Sequence, residues 1–157
     1  TLMTVKHKSA LLARQQAVSA CVKRFVGQPL NWGRTDCVKL CALALRKQGH
    51  PVPLLKGVRY SSEQTALRRF REQGLSSLCE AVDALGLVKI APAMAMPGDL
   101  IALPTPEGDA FKASLMVVHT AAARRVIGLD GQGAFAVLVP NLELTLACWR
   151  TPETRKG

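Results

Sequence analysis

Acidic residues are nearly missing from the first 60 positions of this 157-residue chain. Asp36 stands alone there against eleven lysines and arginines, while residues 61–157 carry ten charges of each sign, so the net charge of +10 belongs to the N-terminal part. Such an excess points to a solvated or partner-facing basic surface, or to nucleic acid. Aromatic residues are also scarce, four Phe, one Tyr and two Trp. They are not interleaved with Arg or Lys as in a module that stacks bases, so DNA is not the expected partner. The longer apolar runs are broken by Pro or charge, and no membrane span is expected. There is no Cys-x-x-Cys pair: Cys37 and Cys41 lie one helical turn apart, Cys21 precedes them, and Cys79 and Cys148 stand among apolar neighbours. These spacings match no zinc framework, so no metal and no cofactor is implied, although spacing alone leaves open whether four thiols converge in space. Histidine is limited to His7, His50 and His119.

What is present suffices for one domain. At this length a chain buries about two thirds of its unfolded surface without needing a staple. Ser9 to Val26 carries Leu11, Val18, Cys21, Val22 and Phe25 at helical spacing, with Arg14, Lys23 and Arg24 off that face, and Gly27-Gln28-Pro29 ends it. From Cys37 the positions Cys37, Leu40, Cys41, Ala44 and Leu45 form a second stripe, closed by Gly49-His50-Pro51. Ser61-x-x-Gln64 and Ser77-x-x-Glu80 read as capping boxes opening helices that end at Gly74 and Gly86. From Leu87 the pattern turns to strands: Leu87 to Ile90, Asp99 to Leu103, Leu115 to His119, Arg125 to Leu129, Ala134 to Val139 and Leu142 to Trp149. The fold class expected is α+β, N-terminal helices packed on a C-terminal antiparallel sheet. Residues 9–150 read as the domain, with Thr1 to Lys8 and Thr151 to Gly157 as tails. Thr1 to Lys8 holds no apolar core of a secretory leader, so export is expected to ride on an assembly or on host lysis.

The most informative stretch is Trp32-Gly33-Arg34-Thr35-Asp36-Cys37. It places a cysteine in the first turn of an apolar helix, where the roughly +0.5 charge of the helix end favours a thiolate. Asp36 beside it can cap the same amides, or pair with Arg34 or another cation, but it also repels a thiolate. Nucleophile and inert core thiol both remain open on these residues. Trp-Gly-x-x-Asp-Cys, followed some 60 residues later by Pro97-Gly98-Asp99-Leu100-Ile101, resembles the NlpC-type branch of the papain-like cysteine peptidases. More narrowly, Phe25 to Asp36, Arg59-Tyr60-Ser61-Ser62 and Ala147-Cys148-Trp149-Arg150 resemble a small family from the tail modules of tailed bacteriophages. The resemblance covers roughly residues 20–150. It implies a papain-like fold, Cys37 as the nucleophile position, a histidine at the start of the strand after the Gly-Asp strand, and peptidoglycan as the substrate of an active member.

A cysteine hydrolase needs an imidazole in reach of sulfur. His7 lies in the N-terminal tail, and His50 lies about 20 Å from Cys37 at 1.5 Å per helical residue. In the run that best matches the family's histidine strand, Ser114-Leu115-Met116-Val117-Val118, Ser114 occupies the histidine position. His119, five residues on, falls on the opposite face of a regular strand and roughly 16 Å along it. The expectation is therefore a degenerate site: Cys37 a vestigial nucleophile, His119 a doubtful base, Asp36 a cap, with Trp32, Arg34 and Ser114 around the former cleft. Trp32 reads as a subsite platform or a core aromatic. The function expected is that of a structural component of a phage tail tip, made in the host cytoplasm and carried in the virion. It would meet other tail proteins through its basic half. An active peptidoglycan endopeptidase or amidase and a basic nucleic-acid module are the alternatives.

Overall fold

Two Gly stops and three polar caps set the helix boundaries. The computed structural model describes residues 2–105, 111 and 113–152, with the backbone alone for residues 2–8. Four helices, α1 (Leu2–Phe25), α2 (Cys37–Lys47), α3 (Glu63–Glu72) and α4 (Leu78–Asp83), precede six strands. These are β1 (Val88–Lys89), β2 (Leu100–Pro104), β3 (Ala113–Val118), β4 (Val126–Leu129), β5 (Phe135–Leu138) and β6 (Ala147–Arg150). After α2, Gly49 turns left-handed at φ 79°, its amide reaches Arg46 O, and the His50 amide reaches Leu45 O. Gly74 (φ 81°) and Leu75 repeat the pattern on Arg71 and Phe70. Both are Schellman endings, which only a residue without a Cβ forms at no steric cost.

All six strands pair antiparallel into one sheet in the order β1-β6-β2-β3-β4-β5. Both faces of its centre are covered, and β2 and β3 consequently read as continuous apolar runs rather than as alternation. Leu100, Ala102, Leu115, Val117, Ile127 and Trp149 belong to the larger buried cluster, together with Leu40, Ala44 and Leu45 of α2 and Phe25 of α1. The alternate residues Ile101, Leu103, Met116, Val118, Val126 and Cys148 form a second cluster with Ala95 and Ala123 from the short turns on the other side. The Trp149 indole N–H donates to Asp83 at 2.9 Å, tying β6 to the end of α4.

Several boundaries differ from the sequence reading. Helix α1 begins at Leu2, seven residues ahead of the expected start at Ser9, so no break in the backbone separates 2–8 from the rest. Thr1 and residues 153–157 lie outside the described residues. The box of α3 sits one residue later than read, on Ser62 and Thr65, each side chain meeting the other's backbone amide. At α4, Ser77 caps the Glu80 amide, but the Glu80 carboxylate turns to the Ser76 amide and hydroxyl instead of closing the box. Leu142–Leu144 is a 3-10 turn, because the Asn141 side chain accepts from the Glu143 amide and holds the chain out of the sheet.

Arg14 is the largest departure. It was placed off the apolar face of α1 among the partner-facing cations, yet its guanidinium is 11% exposed and lies 2.7 Å from Asp99, also donating to Pro97 O at 3.0 Å. Asp99, with its side chain 1% exposed, takes a second cation, Arg150, at 3.3 Å and accepts from the Met96 amide at 2.8 Å. Arg150 in turn donates to Met94 O. One carboxylate thus joins α1, the turn before β2, and β6. Asp99→Asn should cost about 3–5 kcal/mol, since it leaves two guanidiniums drawn together around a neutral amide. Equilibrium urea unfolding measures this, and an unchanged midpoint would show that the three elements hold together without the ion pairs.

Candidate functional site

The Trp32 to Cys37 motif folds as a tight loop entering α2, and its organising atom group is the Asp36 carboxylate. Asp36 has no solvent exposure. Oδ1 accepts from the Lys39 amide at 2.8 Å, which makes Asp36 the N-cap of α2, and Oδ2 accepts from the Gly33 amide at 2.8 Å. The Tyr60 hydroxyl adds a third bond to Oδ1 at 3.3 Å. These three partners are neutral, and no ion pair among the described residues involves Asp36. The pairing with Arg34 raised by the sequence is absent from these contacts: Arg34 is exposed and contributes its amide to Asn31 O in the turn. Gly33 is obligatory there. At φ 94° it brings its Cα against the chain before α3, where a Cβ would stand 2.3 Å from Tyr60 O.

Around the cap lies an aromatic group assembled from distant segments. Trp32, half-buried, stacks on Phe111 with centroids 5.7 Å apart and meets Tyr60 edge-on at 6.3 Å. Phe111 meets Phe70 of α3 at 5.9 Å. Lys39 Nζ sits 5.5 Å from the Tyr60 ring centre. Burial first, then the neighbouring Asp36, pushes the Tyr60 phenol well above its ordinary range, so it stays a proton donor to the carboxylate. Trp32 is packed on the core through one face, as a core aromatic rather than an open platform.

Cys37 is half-buried in the first turn of α2 and packs against the larger cluster. All five cysteines are thiols, and among the described residues no group of His, Cys, Asp and Glu is arranged to hold a metal. The base is the question, and the two described imidazoles answer it by position. Gln48, at the far end of α2, donates to Gly98 O at 3.0 Å, and the Gly98 amide donates to Val118 O at 2.9 Å. His119 follows Val118, so it lies at the C-terminal end of α2, whereas Cys37 opens that helix of 11 residues, about 16 Å away along the axis. His50 is at the same far end, its Nε2 3.0 Å from Leu85 O. The side chain of His7 lies outside the described residues.

The opposite end of β3 is the one near the cap, since Phe111, just before it, stacks on Trp32. Ser114 does not face α2 from there. Strand alternation puts it with Met116 and Val118 and opposite Leu103, all on the second-cluster face, while Ala113 shares the parity of Leu115 and Val117. On the face that Leu115 and Val117 share with α2, the first residue of β3 is Ala113, which has no titratable group. The sequence reading missed Tyr60 and Phe111 as partners of the motif; Tyr60 had a signal in the Arg59 to Ser62 segment, Phe111 none.

The arrangement is a capped cysteine helix beside an antiparallel sheet, with the thiol and the described imidazoles at opposite ends of the helix. The chain belongs to the family described as a domain of unknown function, DUF6950, whose model matches residues 11–151. No curated protein and no solved structure matches it.

Asp36→Ala should cost about 2–4 kcal/mol, more than an exposed cap, because it also orphans the Gly33 amide and the Tyr60 hydroxyl. Thermal or urea unfolding reads it, and a loss below 0.5 kcal/mol would mean that water replaces the carboxylate. A second outcome concerns alkaline pH. Burial pushes Cys21 up to about 12 and Cys148 up to about 11, and Cys41 well above its ordinary value. Their contribution is fully present below the unfolded thiol value near 9 and is lost as pH rises towards the folded values, because the unfolded chain releases these protons first. Stability should fall between about pH 9 and 11 by on the order of 1 kcal/mol per pH unit per thiol. Cys21→Ala and Cys148→Ala together should flatten that slope.

Proposed function

We propose that this protein is a structural component of a bacteriophage tail tip, built on an NlpC-like, papain-like fold that has lost turnover. The observation that supports the reading is the capped helix start of the motif together with the position of both described imidazoles beyond the other end of α2. Trp32 to Cys37 forms the capped helix start that the peptidase resemblance implies, Ser114 stands at the position where that resemblance implies a histidine, and His119 and His50 lie beyond the other end of α2. With His119 and His50 both at the far end of the helix, neither supplies to the sulfur the roughly 100- to 10,000-fold that a positioned general base contributes. The Asp36 carboxylate, saturated by three donors, is a structural anchor and not a substitute base.

In this reading the helices rest on the sheet as in the papain-like architecture, and the basic N-terminal half serves assembly. Arg14 is spent internally on Asp99, but Lys23, Arg24, Arg46 and Lys47 are exposed and suit acidic surfaces of neighbouring tail proteins. The protein would be made in the host cytoplasm and reside in the virion. No described helix is long and apolar enough to cross a membrane.

Incubation with purified peptidoglycan fragments tests the proposal. The expected result is no new product beyond that of Cys37→Ala, at any pH between 5 and 9. Cleavage by the parent protein that vanishes in Cys37→Ala would establish the hydrolase instead.

A further inference from the structure

Helix α1 carries two stripes, and the core buries one of them fully and the other only in part. Arg14, Ala17, Cys21 and Phe25 turn inward: the last three are essentially fully buried and Arg14 holds Asp99. The stripe Leu11, Gln15, Val18 and Val22, at the i, i+4, i+7, i+11 spacing of one helix face, is left half-open. Leu11 is 36% exposed and its neighbour Leu12 54%. Alongside this stripe runs a groove of about 610 Å³, walled by Val18 and Val22 on one side and by Pro97 and His119 on the other, with Ser19 and Lys23 at its rim.

Three features mark the groove as a place for something outside the chain. Nδ1 of His119 is buried with no hydrogen-bond partner, a state that costs about 1–3 kcal/mol and calls for an explanation. The turn after His119 is rigid and strained: Ala122 and Ala123 both adopt left-handed backbone, φ 62° and 53°, while the Ala122 amide is fixed on Ala95 O at 2.8 Å and Ala123 is fully buried. L-residues rarely hold such geometry unless the surroundings impose it, so this wall is preformed. Finally, no acidic side chain lines the groove, Lys23 makes no ion pair among the described residues, and the one nearby carboxylate, Asp99, is already covered by two arginines.

We infer that this groove receives an amphipathic, acidic helix of a partner protein, its apolar residues seated on Val18 and Val22 and a carboxylate placed between Lys23 and His119. An apolar floor at helical spacing with a cationic rim is the complement of such a helix. A second copy of this chain fits poorly, because pairing α1 with α1 would bring Lys23 and Arg24 against like charges. Duplex DNA fits poorly too, since phosphates gain nothing from valine and proline walls. The inference deepens the assembly reading and rests on it only in taking the occupant to be a protein.

The test uses the full chain and two designed helical peptides of about 18 residues, identical in their leucine stripe and flanked by Glu in one and Lys in the other. Fluorescence anisotropy should show the Glu peptide binding at least about tenfold more tightly than the Lys peptide. Lys23→Glu, an exposed change that leaves the core untouched, should lower that affinity about tenfold and raise that of the Lys peptide. Amide shifts on titration should centre on Val18, Val22 and His119. Equal affinity for both peptides, indifference to Lys23→Glu, or shifts mapping elsewhere would overturn the inference. So would tighter binding of a DNA duplex at the same residues, or concentration-dependent self-association through them. Peptidoglycan cleavage by Cys37 would defeat the proposed function and leave this binding result standing, so the two failures are distinguishable.

Discussion

The Asp36 carboxylate takes hydrogen bonds from the loop before α2, from the first turn of α2 and from the chain before α3. Everything at the N-terminal end of α2 depends on it. Asp36 itself has no solvent exposure, so these three bonds offset the desolvation of its charge. With these bonds made, Gly33 can press against Tyr60 O, Trp32 can stack on Phe111, and Cys37 is fixed in the first helical turn. A carboxylate also suits the positive end of the helix. This explains why the lone acid of the first 60 residues survives in a strongly basic segment without a cation to pair with.

Asp99 does the corresponding work at the other end of the same helix. It gathers Arg14 and Arg150 and closes the turn before β2, near the point where Gln48 meets Gly98. Asp36 and Asp99 are the two buried charged residues among those described. One is held by neutral donors and the other by cations, the two ways in which a buried carboxylate avoids the several kcal/mol of desolvation it would otherwise suffer. Asp36 ties the start of α2 to the chain before α3, and Asp99 closes the turn that Gln48 reaches from the helix's other end. The same frame separates Cys37 from the described imidazoles, because β3 runs with Ala113 at the Cys37 end and His119 at the Gln48 end.

The two stripes of α1 show how a basic helix is divided between folding and contact. Its inward stripe is mostly small or sulfur-bearing, Ala17 and Cys21, which lets the helix lie close to α2, with the Cys21 thiol 3.8 Å from Leu40 O. Its outward stripe keeps larger branched residues, Val18, Val22 and Leu11, that a folding-only account leaves half-exposed. Beside them the turn at Ala122 and Ala123 is held against its backbone preference by burial and by Ala95.

By itself the sequence determined the helix stops, the cap and the strand runs, because those depend on residues three or four apart. Gly49 and Gly74 end helices through left-handed turns, Asp36 caps through the Lys39 amide, and β2 and β3 reveal themselves as unbroken apolar runs. What only the tertiary structure decided are the partners brought together from far along the chain. Arg14 reads as a surface cation until Asp99 arrives from 85 residues away. Leu11 reads as core and ends 36% exposed, whereas Val18 and Val22 of the same expected face pack partly buried against the larger cluster. The exact register of β3, which turns Ser114 to the second-cluster face and Ala113 to the face of Leu115 and Val117, depends on pairing with Leu103 and Pro104, and a slip of one residue exchanges the faces of a strand. Periodicity carries the local rule, and it carries no record of which face meets which neighbour.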